Sequence, residues 1–391
     1  MRPLSLRAAR TAVASALLAT VLLAPPPASA SAAAAPVCNG SAAPTFGTAS
    51  PYTSLNSSFT TYGNSNARLD DWTGADSTYS VKLPDGRTVF GFSDTFLGQV
   101  NNGTRPLTIA DGGTTPFPNN TFVVRTASGT MTTAHGGTTA NPTALLPPRD
   151  SSHLYWAADM TVNGSEVQQP YREYWVGGAW NLKFERNVLA RFATSNLNQP
   201  VSVTDLPSSR QIMWGSALLR DGGYTYIYGT EDLGTAGKHL YIARVSGTDL
   251  RGTWYYRTSS GDFDSTSEAA AVRMLSGVSN EFSVSKRGNF YILLTQDTKD
   301  AFSTEIDTYL SCSPGGPFTD EKTVYRTPET GAGNPNIYTY NAHAHASMTT
   351  SNNIVVSYNV NSLDTTVGTE NDNYKNVSIY RPRFINLPVS G

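Results

Sequence analysis

Residues 70–98 read DDWTGADSTYSVKLPDGRTVFGFSDTFLG and contain two β-rich runs separated by a turn sequence. Pro84 presets the first corner of this turn, and Gly86 suits a position that needs a left-handed backbone. The pattern is typical of a three-residue hairpin loop, in which a type I turn is followed by a bulge glycine. It predicts a β-hairpin in which Leu83 faces Arg87.

The same register places two aspartates opposite each other. Followed back along both strands, it pairs Thr78 with Phe92 and Asp76 with Asp94. Such partners have Cβ atoms about 5 Å apart, and like charges so placed destabilise a sheet. Burial would drive their pKa values apart, so that one carboxyl group holds a proton while the other is ionised. Carboxyl groups about 5–5.5 Å apart are typical of retaining glycosidases, with one as nucleophile and one as acid/base.

Other interpretations of these two aspartates stay open on the residues alone. They could be solvated side chains at a sheet edge, or ligands of a cation. A register slip of one residue would also place them on opposite faces of the sheet.

The composition excludes several classes of function. The chain has 391 residues, of which 28 are Lys or Arg and 30 are Asp or Glu, and its formal charge is −2. Such a balance provides no electrostatic attraction for nucleic acid or an anionic membrane. The sequence also has no Gly-x-Ser-x-Gly motif, no phosphate-binding glycine loop and no dinucleotide fingerprint. We therefore expect no cofactor, no nucleic acid and no membrane as partners.

Short β-rich runs and Gly, Asn and Asp turns continue along the chain and predict an all-β fold. A weak internal repeat is visible, and each copy passes through a short strand, a turn and an aromatic-rich strand. Five units of about 63 residues are long enough for four-stranded blades, so we predict a five-bladed β-propeller. A large β-sandwich or a two-domain β protein is the alternative. The units are Asp76 to Asp94, Asn119-Asn120 through 154–156 and 173–176, Trp214 to Glu231, Glu281 to Asp297, and His343 to Asn359.

The N-terminus has the features of a secretion leader. Arg2, Arg7 and Arg10 precede an apolar run over residues 11–24, and Ala-Ser-Ala over 28–30 suits a cleavage site. The run is shorter than the roughly 20 residues that a spanning helix needs. We therefore predict a leader over residues 1–30 and a secreted, extracellular protein.

Residues 31–67 are rich in Ala, Ser and Thr and are predicted to form a linker or a loose wrap. Residues 68–391 then form one propeller domain. Cys38 and Cys312 would enter an oxidising compartment, where they could form a bridge or stay unpaired.

The first hairpin also carries a family resemblance, in the segments WTGADS (72–77), LPDGRT (83–88) and FSDTF (92–96). With these segments the chain resembles a group of exported bacterial proteins once described only as a domain of unknown function. The group is now classed as endo-D-arabinanases, glycoside hydrolase family 183. The resemblance implies a five-bladed propeller, with Asp76 and Asp94 as the catalytic pair. It also implies D-arabinan chains of cell-wall arabinogalactan and lipoarabinomannan as the substrate.

Other candidate residues follow from the propeller itself, because its innermost strands begin near the central channel. Four residues at repeat starts are therefore candidates for substrate binding: Asn120, Trp214, Glu281 and His343. Each has a structural alternative: a turn residue for Asn120, a core aromatic for Trp214, and a hydrogen-bonded structural residue for the other two. His343 and His345 share one strand face, but no further ligand motif accompanies them, so we predict no metal site.

The sequence thus predicts a secreted, retaining endo-D-arabinanase that acts as a monomer on a polysaccharide, with no cofactor. An exo-acting furanosidase or another glycan hydrolase on the same fold is the first alternative. A non-catalytic, lectin-like propeller that binds glycan is the second.

Overall fold

The computed structural model describes residues 35–178 and 181–391. The leader predicted over residues 1–30 lies outside the described residues. In the part that is described, no helix is both long and apolar enough to cross a membrane.

The chain enters the fold through two short strands and one helix. These are β1 (Thr45–Phe46), β2 (Ser50–Pro51) and α1 (Thr53–Gly63). Blade 1 follows, with strand order β3-β4-β5-β6 and a separate two-stranded ribbon, β7-β8. The bounds are β3 (Trp72–Lys82), β4 (Thr88–Leu97), β5 (Thr121–Arg125), β6 (Met131–Ala134), β7 (Gly136–Thr138) and β8 (Asn141–Thr143).

Blade 2 has an innermost edge made of two short strands that both pair with the next long strand. Its strands are β9 (His153–Ala157), β10 (Thr161–Asn163), β11 (Glu166–Gly178), β12 (Asn181–Ala193) and β13 (Ser202–Asp205). Blade 3 runs in chain order, with one extra strand on its third member. Its strands are β14 (Ile212–Asp221), β15 (Tyr224–Asp232), β16 (Lys238–Ser246), β17 (Trp254–Arg257), β18 (Phe263–Ser265) and β19 (Leu275–Ser276).

Blade 4 is a regular four-stranded meander. Its strands are β20 (Phe282–Arg287), β21 (Phe290–Gln296), β22 (Glu305–Ser311) and β23 (Thr319–Arg326). Blade 5 is built from both ends of the chain. Its strands β24 (Ile337–Ala344), β25 (Asn353–Ser362) and β26 (Pro382–Ser390) are completed by β1 and β2, and α2 (Asp372–Lys375) precedes β26. Single 3-10 turns lie at Ile109–Asp111, Gly234–Ala236 and Glu268–Ala270.

The five antiparallel blades confirm the predicted propeller. Inner strands of successive blades contact each other around the ring, and blade 5 contacts β3 of blade 1. In the described residues the apolar core lies mainly between blades as five large clusters, and a sixth, small cluster contains Phe96, Tyr374 and Tyr380. Each large cluster has fully buried members, for example Phe122, Trp214, Leu293, Val356 and Phe90.

The N-terminal segment closes the ring. Thr45 pairs with Ser390 and Ser50 with Asn386, so the first strands extend the last blade. Phe59 of α1 packs against Trp72 and Phe384, which joins blade 1 to blade 5. Residues 45–63 of the predicted linker or wrap thus contact the propeller directly, and the boundary at residue 68 stays a prediction.

Cys38 and Cys312 form a disulfide with a Cα–Cα distance of 5.2 Å. Cys312 directly follows β22, so the bridge ties the N-terminal segment to blade 4. This settles the alternative that the sequence leaves open.

One repeat boundary differs from the prediction. Asn119-Asn120 does not begin blade 2, because Asn120 precedes β5, the third strand of blade 1. Blade 2 begins at His153. The polar start and aromatic continuation that define a repeat unit also occur within blade 1, which is why pattern alone misplaced the start.

The first hairpin has the predicted turn and a more irregular ladder. Gly86 has φ +91°, and its amide donates to the Leu83 carbonyl at 3.0 Å, as the bulge-glycine loop requires. The predicted pairing of Thr78 with Phe92 is wrong, because Phe92 pairs with Ser77. The register shifts by one residue on each side of Ser77, and the two shifts cancel. The predicted register therefore holds at Ala75–Thr95 and again from Tyr79–Gly91 to the turn.

Candidate active site

Asp76 lies within the irregular part of β3, where the ladder assigns it no partner. Its Oδ2 accepts hydrogen bonds from the hydroxyls of Tyr340 at 2.9 Å and Tyr380 at 3.3 Å. Its Oδ1 is buried and has no hydrogen-bond partner among the described residues. The side chain therefore has one oxygen held in place by blade 5 and one buried oxygen whose hydrogen-bonding capacity is unused in the described structure.

Asp94 lies on β4 of the same hairpin and is held by different groups. Its Oδ1 accepts from the amide of Asn119 at 2.8 Å and from the indole N–H of Trp156 at 2.9 Å. N–H donors to a carboxylate favour its ionised form. The second oxygen of Asp94 has no hydrogen bond within the described part of the chain.

The two carboxyl groups interact electrostatically. Burial raises the pKa of Asp76 well above its ordinary value, and the charges of Asp94 and Glu281 raise it further. Burial also raises the pKa of Asp94, but the bonds from Asn119 and Trp156 lower it. Asp76 is consequently the better proton holder of the pair, and Asp94 is the one that ionises first.

Glu281 lies directly before β20 and reaches the same centre. Its Oε1 accepts from the Ser77 hydroxyl at 2.8 Å, and its buried Oε2 has no hydrogen-bond partner among the described residues. Burial raises the pKa of Glu281 to about 7, although the nearby charge of Arg172 lowers it. Glu281 is thus a third carboxyl group that acts on Asp76 through its charge.

His343 packs next to Glu281 and is neutral at physiological pH. Its Nε2 lies 2.9 Å from the Thr78 carbonyl and its ring stacks on Tyr79 at 4.6 Å. Burial lowers the pKa of His343 to about 4. Its Nδ1 lies 4.0 Å from Glu281 Oε2, so the histidine packs against the third carboxyl group, and in the described part of the chain it makes no hydrogen bond to either aspartate.

The structure does not bring Asn120 to this centre. Its side chain is fully buried and bonds only to backbone groups, donating to the carbonyls of Leu146 and Tyr155 and accepting from the Leu146 amide. It links blades 1 and 2. The neighbouring residue, Asn119, is the one that contacts an aspartate.

Trp214 also lies elsewhere. It is fully buried between blades 2 and 3, its indole N–H donates to Glu268 at 2.6 Å, and its ring packs on Trp254. Trp214 therefore has the surroundings of a core aromatic residue, which is the structural alternative given for it from the sequence.

Backbone strain is concentrated around Asp76. Ser77 and Thr78 follow it with φ of +71° and +74°, and Tyr380 has φ +70°. Asn341, next to Tyr340, has φ +58°. Such conformations cost about 1–3 kcal/mol each outside glycine and occur at sites that hold functional groups in fixed positions.

Aromatic side chains extend from Asp76 in two rows. In one row the ring of Tyr340 lies 5.2 Å from Tyr338, which lies 4.2 Å from Phe302. In the second row Tyr380 packs on Phe96 at 5.1 Å, and Phe96 packs on Phe117 at 4.4 Å. Phe302 and Phe117, at the far ends of these rows, are partly exposed.

Sequence reasoning did not select the residues that contact the two aspartates. Trp156 and Asn119 stood inside a predicted repeat unit, but neither was a site candidate. Tyr340 precedes the predicted repeat start at His343 by three residues, and the rule that innermost strands begin near the channel could have included it. Tyr380 follows a helix and a turn outside the repeat, and no pattern in the sequence indicates it.

The fold is similar to that of solved hydrolase structures. A protein from Bacteroides ovatus ATCC 8483, described provisionally as a hydrolase, superposes with a TM-score of 0.69 at 21% identity, covering 86% of this chain and 89% of that chain. Identity this low shows a shared fold and nothing more.

Two glycoside hydrolases superpose less well. A GH43_1 enzyme from Xanthomonas citri gives a TM-score of 0.45 at 16% identity, covering 85% of this chain and 92% of that chain. The catalytic domain of a GH62 alpha-L-arabinofuranosidase from Coprinopsis cinerea gives 0.45 at 11% identity, with 82% and 92% covered.

No curated protein matches the chain. The model of a protein family described as a domain of unknown function, DUF5005, matches residues 56–388. The match spans all five blades, and the chain belongs to the DUF5005 family.

Proposed function

We propose that this protein is a glycoside hydrolase, a retaining endo-D-arabinanase that cleaves internal arabinofuranosidic linkages of cell-wall arabinan. The observation that carries the proposal is the pair Asp76 and Asp94 on one hairpin, each held by its own donors and coupled by charge. Two carboxyl groups with pKa values driven apart are what glycoside hydrolysis requires. The resemblance of the first hairpin to the endo-D-arabinanase family supports the choice of sugar.

We assign the general acid/base role to Asp76. Burial and the charges of Asp94 and Glu281 keep this carboxyl group protonated at a pH where an ordinary aspartic acid is ionised. Its buried Oδ1 has no partner within the described structure and could present the proton to a glycosidic oxygen. We assign the nucleophile role to Asp94, whose Oδ1 is fixed by two N–H donors while Oδ2 makes no hydrogen bond.

The reaction would proceed in two balanced steps. In the first, Asp94 Oδ2 forms a bond to the anomeric carbon, the glycosidic C–O bond breaks, and Asp76 gives its proton to the departing oxygen. In the second, water attacks the anomeric carbon, its proton passes to Asp76, and the ester bond to Asp94 breaks. Two inversions give net retention, and both groups return to their starting protonation states.

The two aromatic rows support action within a polymer. Sugar C–H faces pack on aromatic rings, and the two rows extend the aromatic surface from Asp76 to the exposed Phe302 and Phe117. An exo-acting enzyme removes only terminal sugars, so its binding cleft is closed at one end and extends along the glycan on one side of the cleaved bond only. We therefore favour endo action over the exo-acting alternative.

The test of the catalytic assignment is a set of Asp→Asn substitutions. D76N and D94N should each lower hydrolysis of a polymeric D-arabinan by about a thousandfold or more, with unchanged thermal unfolding. D76N should retain more activity on an aryl arabinofuranoside whose leaving group needs no proton. D85N, at the exposed hairpin turn, is the matched control. Near-wild-type activity in D76N and D94N would rule out the assignment.

The products distinguish the alternatives. Release of an oligosaccharide ladder supports endo action, whereas monosaccharide alone supports the exo-acting furanosidase. Proton NMR of the first product shows whether its anomeric configuration is retained or inverted. Binding of the glycan without any new reducing end, in wild-type protein over long incubation, would support the lectin-like alternative.

We also propose that the protein is secreted. The disulfide between Cys38 and Cys312 suits an oxidising compartment outside the cytoplasm. Fractionation of a producing culture tests this: the mature chain should lie in the medium with the predicted leader removed.

A further inference from the structure

Three acidic side chains lie together on one face of blade 4, outside the Asp76–Asp94 site. In the ladder, Thr295 of β21 pairs with Asp307 of β22, which pairs with Thr323 of β23. Asp297 and Glu321 are each two residues from these threonines and so share their face. Oxygens of Asp297, Asp307 and Glu321 all lie within 4.8 Å of one another.

Asp307, in the middle of the three, has no internal partner. Its side chain is 1% exposed, and neither carboxylate oxygen has a hydrogen bond among the described residues. The hydroxyl of Thr323, the ladder partner of Asp307, donates to Glu305 at 3.3 Å. A buried carboxylate without a donor is among the most unfavourable arrangements in a protein unless a cation or a proton compensates it.

Lys299 is the cation that the chain itself supplies, and it does not balance the cluster. Its ammonium group pairs with Glu321 and lies 3.9 Å from Asp297 Oδ1, while its side chain is 62% exposed. One mobile positive charge thus faces three carboxyl groups.

We propose that Asp297, Asp307 and Glu321 form a calcium site. Calcium takes six to eight oxygen ligands at about 2.3–2.6 Å, so ligand oxygens on opposite sides lie up to about 4.6–5.2 Å apart. The three carboxylate oxygens, all within 4.8 Å of one another, can therefore bind the same calcium ion. Glu321 is 36% exposed, which gives the ion an entry path and room for water ligands.

The position of the site suggests what the ion would do. The connection between β21 and β22, residues 297–304, begins at Asp297, and Asp307 lies on β22 three residues beyond its end. This connection carries Phe302, whose ring packs on Tyr338. A calcium ion that bridges the two aspartates would hold this connection closed at its base. The calcium site does not depend on the proposed hydrolase function.

Calcium binding to chelator-treated protein tests the proposal directly. Isothermal titration with CaCl2 should show one ion per chain, and D307N should weaken the affinity at least tenfold. In 5 mM CaCl2 the unfolding midpoint of wild type should rise by about 1–3 °C, for a dissociation constant of about 10⁻⁴–10⁻³ M. D264N, at an exposed position on β18 of blade 3, should behave as wild type.

Lys299 provides a second test that does not risk the fold. If calcium and the lysine compete for the same carboxylates, K299M should bind calcium several times more tightly than wild type, and E321Q should bind it more weakly. Absence of calcium binding in both wild type and K299M would overturn the proposal. Undiminished binding in folded D307N and E321Q would overturn it as well, because the ion would then lie elsewhere.

Discussion

At the scale of single residues, the two oxygens of Asp76 have different surroundings. Oδ2 accepts from two tyrosine hydroxyls of blade 5, whereas Oδ1 is buried without a partner in the described structure. The hydroxyls lower the pKa of Asp76, while burial and two neighbouring carboxyl groups raise it. The balance between these opposing effects should set the pH at which Asp76, the proposed proton donor, ionises.

The first residue-scale prediction concerns Tyr340. Y340F removes the shorter of the two hydrogen bonds to ionised Asp76, so the pKa of Asp76 rises further. The basic limb of the kcat/KM profile, where the acid/base residue loses its proton, should move up by about one pH unit. Loss of the positioning bond should lower kcat/KM at the optimum by about tenfold. The measurement is a pH–rate profile on an aryl arabinofuranoside.

Y338F is the matched control for this experiment. Tyr338 packs beside Tyr340 but has no hydrogen bond to Asp76. Its substitution should leave the basic limb in place. A basic limb that stays at its wild-type position in Y340F would show that Asp76 is not the group titrating there.

Glu281 supports a prediction about stability. Its pKa rises from an ordinary 4.5 to about 7 on folding, so between these values the folded chain binds more protons than the unfolded chain. The stability that comes from protonating Glu281 in the folded chain is therefore complete below pH 4.5 and is lost as the pH rises to 7. From pH 4.5 to 7, wild type should lose about 3 kcal/mol of unfolding free energy relative to E281Q.

Urea unfolding of both proteins at several pH values measures this difference. The comparison with E281Q cancels the contribution of His343, whose lowered pKa acts in the opposite direction over the same range. E370Q, at an exposed position, is the control. If the difference in unfolding free energy between wild type and E281Q does not change with pH, the pKa of Glu281 is not raised by burial.

How much of the site the sequence could predict depends on the kind of residue. Asp76 and Asp94 were predicted because a recognisable turn relates their positions, and Glu281 because it begins an innermost strand. Tyr380 could not be predicted, because it lies 304 residues from Asp76 in the sequence and belongs to an irregular segment. Asn120 and Trp214 were selected by their place in the repeat, but their surroundings are fully satisfied by the fold.

At the scale of elements, the first hairpin shows how far along its strands the turn determines the pairing register. The loop at Gly86 sets the pairing from Leu83–Arg87 to Tyr79–Gly91 as predicted. Beyond it the ladder shifts at Ser77, whose hydroxyl bonds to Glu281 of blade 4. This irregularity is stabilised by a contact between blades, and local sequence therefore contains no signal for it.

Gly86→Ala tests the turn. An added Cβ would meet no atom within 4 Å, so the cost arises only from the backbone at φ +91°. We expect a loss of about 1–2 kcal/mol of unfolding free energy with unchanged kcat. The measurement is urea unfolding together with hydrolysis rates.

Gly91→Ala provides the contrasting case on the same hairpin. The added Cβ would lie 2.3 Å from Met160 Cε and 2.9 Å from Gln169 Nε2. Gln169 lies on β11 of blade 2, and Met160 lies between β9 and β10 of the same blade. Overpacking between blades should cost more than the turn substitution does. A G86A variant that loses stability and activity together would indicate that the turn also controls the aspartate pair.

At the scale of the whole molecule, the ring is closed by the two ends of the chain. Strands β1 and β2 pair with β26, and the Cys38–Cys312 disulfide ties the segment before them to blade 4. The sequence predicted five repeats from their shared texture. It could not predict this closure, because strands of two residues have no periodicity and two cysteines leave their pairing open.

The disulfide closes a loop between residues 274 apart in sequence, so it should restrict the unfolded chain strongly. The chain-entropy relation gives about 5 kcal/mol for so long a loop, as an upper value. The C38S/C312S variant should therefore unfold at a lower midpoint than wild type, by up to about 7 °C. Its activity at 25 °C should be unchanged, because neither cysteine contacts the aspartate pair.

Thermal unfolding with and without dithiothreitol separates the bridge from side effects of the serines. Reductant should lower the wild-type midpoint to that of C38S/C312S and should not change the variant. If the double variant unfolds at the wild-type midpoint, the short strands of blade 5 hold the N-terminal segment without help. The ring would then be closed by strand pairing and the packing of α1 alone, and the bridge would contribute nothing measurable to stability.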